Sequence, residues 1–305
     1  MPRIPDVTLA NPRADRVKQV RALSGRPARS RHHQFLVEGP QGVREAVRHA
    51  TDDVRDVYLT PSAAERYAEI VGDALGAGLR VHVGTPEVLE AMSPDAQGVL
   101  AVVRARTSEL AGTLAELAGA RAAEGRPLLV TVLATVRDPG NAGTVIRASD
   151  AAGADLVVLA GESVDPHNPK VVRSTAGSLF HLPVVTGVPL AEAAAAVRAV
   201  GCTVLAADGT GAHDLDDLLD VAGPARRADG QPDLAGSTAW VFGNEAWGLP
   251  EADRALADAV VRVPIRGRAE SLNLATAATV CLYASGRAQR AVHPDRLHAG
   301  GRARR

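Results

Sequence analysis

Short apolar runs alternate with helix-forming segments through the second half of the chain, and this alternation limits the fold more than any other feature. The run LLVTVLATV from Leu128 leads through a polar turn into a helix predicted over 144–152, and an apolar run at 156–160 follows. Further strand-like runs lie at 182–185 and 203–206. Strands that alternate with helices build mostly parallel sheets with helices on both faces. We therefore predict an α/β fold with a mostly parallel sheet.

The stretch 239–284 holds two more strand ends and one helix start. A strand predicted over 239–242 breaks at Gly243, and a second strand is predicted over 260–265. Ser271-Leu272-Asn273 then opens an Ala-rich segment whose composition is strongly helical. In open α/β sheets, ligands bind outside the carboxyl ends of the strands, so we expect the polar side chains of these loops to form one site.

Two common nucleotide-binding patterns are missing from the turns that follow the strands. The first turn reads DPGNAG over 138–143, which lacks the GxGxxG spacing that places a pyrophosphate at a helix N-terminus. The sequence contains no GxxxxGK(S/T) motif either. A dinucleotide or nucleoside-triphosphate site is therefore disfavoured.

The chain divides by composition into four parts. Residues 1–105 alternate strands and helices in a small α/β domain, and 128–291 carry the alternation described above. Between them, 106–127 has helical composition but is interrupted by three glycines, and we interpret it as a linker. Residues 292–305 form a basic tail that we expect to be flexible.

The N-terminal end is basic, although the net charge of the whole chain is only −1. Residues 1–50 contain ten Arg or Lys against four Asp or Glu. The segment 25–33 is predicted to be an exposed basic loop, in which Arg26, Arg29 and Arg31 would neutralise the phosphates of a nucleic acid. The alternative is a charged loop that is merely solvated.

The rest of the composition argues against metals, disulfides and membranes. Cys202 and Cys281 have neither a CxxC pairing nor a histidine cluster nearby, so we expect buried free thiols and no metal site. His167 and His181 invite a general-base hypothesis, but neither lies in the loops singled out above. Apolar residues never run unbroken for the roughly 18 that a membrane span needs, and the N-terminus lacks an apolar signal core. We expect a cytoplasmic protein with no membrane contact.

Three ordered segments resemble the motifs of a known family. They are 138–143 with Arg147, 243–245 with Gly248, and 263–265 continuing through 270–274. In order, spacing and position these segments resemble the motifs of the SpoU (TrmH-type) RNA 2′-O-ribose methyltransferases of the SPOUT superfamily. The likeness covers about 128–290, and 165–180 looks like the connecting stretch of the family. Residues 1–105 are similar, more loosely, to the small RNA substrate-binding domain that many members carry.

The resemblance implies a fold, a cofactor and an assembly. In family members the C-terminal part of the chain is threaded through a loop to form a trefoil knot, where backbone groups bind S-adenosylmethionine. By resemblance those groups belong here to Gly243, Val263 and Leu272, with the loop near Ala207 as a fourth. Family members are homodimers in which the Ala-rich C-terminal helix packs at the interface, so a homodimer is implied here.

Arg147 is the residue on which the resemblance centres the chemistry. A guanidinium stays protonated in proteins, so we expect Arg147 to hold a phosphate and stabilise the developing alkoxide rather than act as a base. Asn141 would hold Arg147 or the ribose by hydrogen bonds. The alternatives are a surface salt bridge from Arg147 to Asp150 or Asp155, and a simple turn role for Asn141.

Three further polar side chains complete the expected catalytic set. Glu245 would orient Arg147, or it is a solvated loop acid. Ser271 and Asn273 would bind the ribose and the edge of the cofactor, or cap the helix that follows, and both roles can hold at once.

The leading hypothesis is an enzyme that transfers a methyl group from S-adenosylmethionine to a ribose 2′-hydroxyl of structured RNA, with ribosomal RNA favoured over transfer RNA. Because the cofactor carries the reactive group, the protein must only position the hydroxyl, assist loss of its proton and exclude water. One alternative is an RNA-binding protein of the same fold without catalysis, against which the intact motif residues argue. Another is an α/β enzyme for a small metabolite, against which the basic segment argues.

Overall fold

The computed structural model describes residues 6–223 and 230–292. It contains two compact units. The first comprises the chain up to Thr107 together with Asp165–His181, and the second comprises Ser108–Val164 and the chain from Leu182 onward. The segment Asp165–His181 therefore packs with the first unit, although the division by composition assigned it to 128–291.

The secondary structure follows the alternation expected from the sequence. The strands are β1 (Val7–Leu9), β2 (Gln34–Glu38), β3 (Val54–Leu59), β4 (Arg80–Gly84), β5 (Val99–Arg104), β6 (Leu129–Ala134), β7 (Leu156–Ala160), β8 (Val184–Thr186), β9 (Thr203–Ala207), β10 (His213–Asp214), β11 (Thr238–Phe242) and β12 (Ala259–Arg262). The α-helices are α1 (Asp15–Ala22), α2 (Arg26–His32), α3 (Pro40–His49), α4 (Pro61–Arg66), α5 (Ala68–Gly76), α6 (Pro86–Met92), α7 (Leu110–Glu124), α8 (Pro139–Ala152), α9 (Pro169–Ser174), α10 (Leu190–Ala199), α11 (Leu215–Asp220), α12 (Glu251–Arg254) and α13 (Leu274–Val292). Short 3₁₀ turns cover Thr51–Asp53 and Ser178–Phe180.

The second unit is built on a seven-stranded sheet in the order β10-β12-β9-β11-β6-β7-β8. Every neighbouring pair in this sheet is parallel. The predicted mostly parallel sheet is therefore confirmed. The first unit has a mixed five-stranded sheet in the order β1-β4-β3-β5-β2, in which β5 is antiparallel to both of its neighbours.

Alternate residues of the interior strand β6 lie in two separate hydrophobic cores. Leu129 and Leu133 pack with residues of α8, α11 and α13. Val130 and Val132 pack with residues of α7 and α10. Because successive side chains of a strand point to opposite faces, the sheet is covered by helices on both sides, as predicted.

Helices α8 and α13 pack closely against each other and against the sheet. A Cβ atom at Gly286 of α13 would lie 2.8 Å from the carbonyl oxygen of Ala152 at the end of α8. Trp240 of β11 is fully buried and donates a hydrogen bond from its indole nitrogen to Ser285 Oγ of α13 at 2.9 Å. These contacts hold α13 against the end of α8 and against β11.

The predicted linker, 106–127, contains a packed helix. Leu110 and Leu114 of α7 are buried in the core of the second unit. The Glu109 side chain accepts hydrogen bonds from the main-chain amides of Ala111 and Gly112, and Gly125 ends the helix with a φ of 63°. Only this last glycine breaks the helix, since the other two lie inside it.

The prediction of an exposed basic loop at 25–33 is wrong. The segment forms helix α2, and Arg29 is only 6% exposed. The Arg29 guanidinium pairs with Asp165 at 2.8 Å and also donates to the carbonyl oxygens of Leu23 and Ser24. The Arg29 guanidinium is therefore engaged by an ion pair and two carbonyl groups and is unavailable to a phosphate, whereas Arg26 and Arg31 are exposed.

Three other expectations concern burial and the ends of the chain. Cys202 and Cys281 are buried free thiols, as predicted. Of the predicted tail, 292–305, only Val292 lies within the described residues. No helix in residues 6–223 and 230–292 combines the length and the apolar character of a membrane span.

Candidate functional site

The first turn of α8 carries Asn141. The Asp138 side chain caps the helix by accepting a hydrogen bond from the Asn141 amide at 2.7 Å, and Pro139 occupies the first helical position. An aspartate cap followed by proline is a strong helix start. The helix therefore begins at Pro139 and not at 144 as predicted, so Asn141 and Arg147 belong to the same helix.

Glu245 lies at the N-terminus of α8. Its carboxylate accepts hydrogen bonds from the main-chain amides of Arg137 at 3.4 Å and Asp138 at 3.1 Å, and from Asn141 Nδ2 at 3.4 Å. A carboxylate is favoured there because unpaired amides and the helix dipole give this end positive character. The expectation that Glu245 orients Arg147 is not met, since its partners are the start of α8 and Asn141.

Asn273 caps α13 and also contacts α8. Its Oδ1 accepts hydrogen bonds from the amides of Ala275 at 2.9 Å and Thr276 at 3.4 Å. Its Nδ2 donates to Asn141 Oδ1 at 3.0 Å. Ser271 is exposed two residues earlier, so the cap is Asn273 rather than the serine. Asn141, Glu245 and Asn273 thus form one hydrogen-bonded chain.

The loop after β11 is held in a tight turn that leaves no room for a side chain at its start. Asn244 and Gly248 exchange both main-chain hydrogen bonds at 2.9 Å, and Gly248 has a φ of 67°. A Cβ atom at Gly243 would lie 2.3 Å from the carbonyl carbon of Gly248. Glycine is required where two backbone segments approach so closely.

Sequence reasoning gave no role to Asn244, which ties this loop to β6. Asn244 is 6% exposed, and its Nδ2 donates to the carbonyl oxygen of Thr135 at 2.7 Å. Its Oδ1 accepts from the Ala246 amide at 2.9 Å. A polar residue just beyond the glycine that ends a buried strand was the available signal, because such a side chain needs hydrogen-bond partners.

A pocket of about 340 Å³ lies beside this loop. Its walls come from the loops after β9, β11 and β12 and from the start of α13: Ala207, Asp208, Gly209, Phe242, Gly243, Asn244, Glu245, Ala246, Gly248, Val263, Ile265, Glu270, Ser271, Leu272, Leu274 and Ala277. The structure thus brings together all four residues expected to bind the cofactor. Strand β12 ends at Arg262, three residues earlier than predicted, and this leaves Val263 in a loop facing the pocket.

The described residues of the pocket wall include no Lys, Arg or His, but three carboxylates. Asp208 is the one that sequence reasoning missed. Burial alone would raise the pKa of Asp208, but hydrogen bonds from Thr210 and the charge of Arg254 outweigh burial and hold the pKa below its usual value. Asp208 is therefore ionised at neutral pH, and Arg254 pairs with it at 3.4 Å. Because the wall itself bears carboxylates and no described cationic side chain, the pocket favours a cationic ligand.

Arg147 is exposed on α8, outside the pocket wall. Within residues 6–223 and 230–292, no hydrogen bond or ion pair engages its guanidinium. Asp155, one of the two partners considered for a surface salt bridge, pairs with Arg121 instead. The Arg147 side chain is therefore available to an anionic ligand.

Comparisons with known proteins find two family models that match this chain. The family model described as SpoU rRNA Methylase family matches residues 128–283. The model described as MRM3-like substrate binding domain matches residues 14–101.

Among curated relatives, the 23S rRNA (guanosine-2′-O-)-methyltransferase RlmB of Bordetella pertussis is 31% identical over 83% of this chain and 96% of its own length. The 23S rRNA (guanosine(2553)-2′-O)-methyltransferase RlmP of Bacillus subtilis is 29% identical over 88% of this chain and 94% of its own length.

Among solved structures, the SpoU methyltransferase AviRb of Streptomyces viridochromogenes in complex with AdoMet (S-adenosylmethionine) superposes with a TM-score of 0.72 at 31% identity, covering 92% of this chain and 100% of that one. An AdoMet-bound rRNA methyltransferase from Sinorhizobium meliloti gives a TM-score of 0.72 at 27% identity, covering 92% of this chain and 97% of that one.

Proposed function

This chain belongs to the SpoU rRNA methylase family, and on that premise we propose that it transfers a methyl group from S-adenosylmethionine to a ribose 2′-hydroxyl of ribosomal RNA. Both relatives described above are named for 2′-O-methylation of 23S rRNA, and the chain covers more than nine tenths of each. The observation that carries the proposal is the carboxylate-bearing pocket, whose wall includes residues of the second and third family motifs together with the loop after β9.

The pocket residues fit this methyl donor. S-adenosylmethionine supplies an activated methyl group on a positively charged sulfur, so it suits a wall that bears Asp208, Glu245 and Glu270 and no described cationic side chain. Small and apolar residues make up most of the remaining wall, which lets backbone groups reach a ligand. We assign the main-chain contacts with the donor to Ala207, Gly243, Val263 and Leu272. Ser271 also lies at the pocket, and its side chain would bind the edge of the donor or the ribose.

Arg147 would hold the RNA for reaction. Its guanidinium is exposed and carries a permanent positive charge, so it can bind a phosphate and stabilise the negative charge that develops on the 2′-oxygen. It cannot serve as the base that takes the hydroxyl proton. Asn141 would act beside it by fixing the start of α8, since its side chain is held on one side by Glu245 and on the other by Asn273.

Three finer features belong to the same proposal. We propose that the loops around the pocket form the trefoil knot typical of the family, since three of them enclose one ligand pocket. We propose a homodimer through α13, because Val280 and Tyr283 on its outer face are 40% and 50% exposed. We also propose that the protein acts in the cytoplasm, where ribosomal RNA is found.

The first unit would serve as the RNA substrate-binding domain, and the second as the catalytic domain. Arg26 and Arg31 are exposed and remain candidates for phosphate contacts. A pocket of about 350 Å³ has Arg16, Arg55 and Arg80 in its wall, together with Asp56, which pairs with Arg80 at 3.3 Å. Clustered guanidinium groups on one surface are the electrostatic requirement for binding an RNA backbone.

The alternative is an RNA-binding protein of the same fold without catalysis. Calorimetry distinguishes the two, because the enzyme must bind S-adenosylmethionine and the alternative need not. Mapping of ribose methylation in a deletion strain and in the complemented strain then tests the activity and identifies the nucleotide. We expect one 2′-O-methyl group in 23S rRNA to disappear and return. An unchanged map would contradict the proposed function.

A further inference from the structure

Three side chains of types that bind metals meet in the first unit, and none of them belongs to the walls of the pockets described above. Glu45 and His49 stand one turn apart on α3, and His181 directly follows the 3₁₀ turn Ser178–Phe180. Their carboxylate oxygen and ring nitrogens all lie within 4.8 Å of one another. His181 is 136 residues from Glu45 in the chain, so sequence spacing could not reveal this group.

The separations of the three groups suit a shared metal ion. Glu45 Oε2 lies 3.1 Å from His181 Nε2 and 3.3 Å from His49 Nε2. In a tetrahedral zinc site with bonds of about 2.0–2.1 Å, two ligand atoms are about 3.3 Å apart. The two imidazole rings have their centroids 4.7 Å apart at an angle of 74°. Small rotations of the side chains would therefore bring all three ligand atoms to bonding distance.

Glu45 is held in place by its surroundings. Its second carboxylate oxygen, Oε1, accepts a hydrogen bond from Gln41 Nε2 at 3.3 Å. Its side chain packs on the backbone of Gly177, where a Cβ atom would lie 2.4 Å from Glu45 Cγ. Contacts of this kind orient metal ligands, because they fix which oxygen faces the ion.

We infer that Glu45, His49 and His181 bind one divalent transition-metal ion, for which Zn²⁺ is the best match. Two imidazoles and one carboxylate form a ligand set that proteins use for zinc and iron(II), with the remaining positions left to water. The three side chains are 16%, 26% and 28% exposed, so an ion can enter from solvent. The ion would link His181, the last residue of Asp165–His181, to α3. This inference replaces the expectation that the protein has no metal site.

Calorimetric titration of Zn²⁺ into the full chain, produced without a histidine tag and stripped with a chelator, tests the site. We expect one equivalent to bind. Glu45→Gln, His49→Ala and His181→Ala should each weaken binding by at least about tenfold. His32→Ala is the matched control, because His32 is an exposed histidine of the same unit outside the cluster, and it should bind Zn²⁺ as the unaltered chain does.

Thermal unfolding separates loss of the site from loss of the fold. In the presence of chelator the variants should unfold at temperatures close to that of the unaltered chain. Added Zn²⁺ should raise the unfolding temperature of the unaltered chain and of His32→Ala, but not of the three ligand variants. The inference is overturned if the unaltered chain binds no Zn²⁺, or if all three ligand variants bind it equally well.

Discussion

Asn273 donates a hydrogen bond from Nδ2 to Oδ1 of Asn141 at 3.0 Å, across 132 residues of chain. The bond joins the cap of α13 to the first turn of α8. Asn141 also donates to Glu245, which accepts two main-chain amides at the same helix start. One chain of hydrogen bonds thus connects the three loops that the family motifs occupy. Replacement of any one of these three side chains should therefore alter the positions of the other two.

Replacement of Asn273 by alanine should lower the free energy of unfolding by about 1–2 kcal/mol, because it removes the cap of α13 as well as the bond to Asn141. Methyl transfer should fall at the same time. Urea unfolding measures the first effect. Ser271→Ala is the control, since Ser271 provides no cap, and its stability should stay within about 0.5 kcal/mol of the unaltered chain. Equal destabilisation by both variants would contradict this account of the helix start.

Replacement of Gly243 by alanine should disrupt the cofactor pocket, because the new methyl group would lie 2.3–2.6 Å from backbone atoms of Gly248 and Leu249. We expect affinity for S-adenosylmethionine, measured by calorimetry, to fall by at least tenfold, equivalent to about 1.4 kcal/mol. Gly267→Ala is the control, since a Cβ atom at Gly267 meets nothing within 4 Å. Normal affinity in Gly243→Ala would argue that the pocket lies elsewhere.

Arg29 and Arg31 should respond to alanine in opposite ways. Arg29 is buried and paired with Asp165, so Arg29→Ala should cost about 3 kcal/mol of stability. Arg31 is exposed, so Arg31→Ala should leave the free energy of unfolding unchanged. If Arg31 contacts one phosphate, the variant should reduce the slope of log K for RNA binding against log salt concentration by about one. Urea unfolding and filter binding at several salt concentrations separate the two effects. A stable Arg29→Ala variant with weakened RNA binding would restore the role first predicted for Arg29.

The two cysteines should resist thiol reagents in the folded protein. Burial raises the pKa of Cys202 to about 12 and raises that of Cys281 as well, so both stay protonated at pH 8, and only the thiolate is a good nucleophile. A chromogenic disulfide reagent should titrate no thiol in the native protein and two after unfolding in guanidinium. Rapid labelling of either thiol in the native protein would contradict this burial and show that the segment around that cysteine opens readily.

Much of the fold could be predicted from sequence, because local patterns determine it. The apolar runs at β6, β7 and β9 and the helical segments between them gave the parallel sheet. The ends of helices and strands were less accurate: the Asp138 cap starts α8 before 144, and β12 ends at Arg262. The packing of α7 was missed because glycines inside a helix resemble breaks when burial is unknown.

Contacts between distant parts of the chain could not be predicted. The pairing of Arg29 with Asp165 and the meeting of Glu45 with His181 join residues about half the chain apart, and no periodicity carries that information. The resemblance to a family brought Ala207, Gly243, Val263 and Leu272 together before the structure did. It gave no indication of Asp208, whose side chain accepts hydrogen bonds from Thr210 and pairs with Arg254.

Methyl transfer by Arg147→Ala tests the central claim most directly. Unmodified 23S rRNA would be incubated with S-adenosylmethionine and either the unaltered chain or the variant, digested to nucleosides, and assayed for 2′-O-methylated nucleosides by mass spectrometry. We predict that the unaltered chain forms one such nucleoside and that Arg147→Ala is slower by about 10²–10³-fold, as expected when one donor to a developing oxyanion is removed. Calorimetry should show unchanged binding of S-adenosylmethionine to the variant. No product from the unaltered chain, or full activity in Arg147→Ala, would contradict the account.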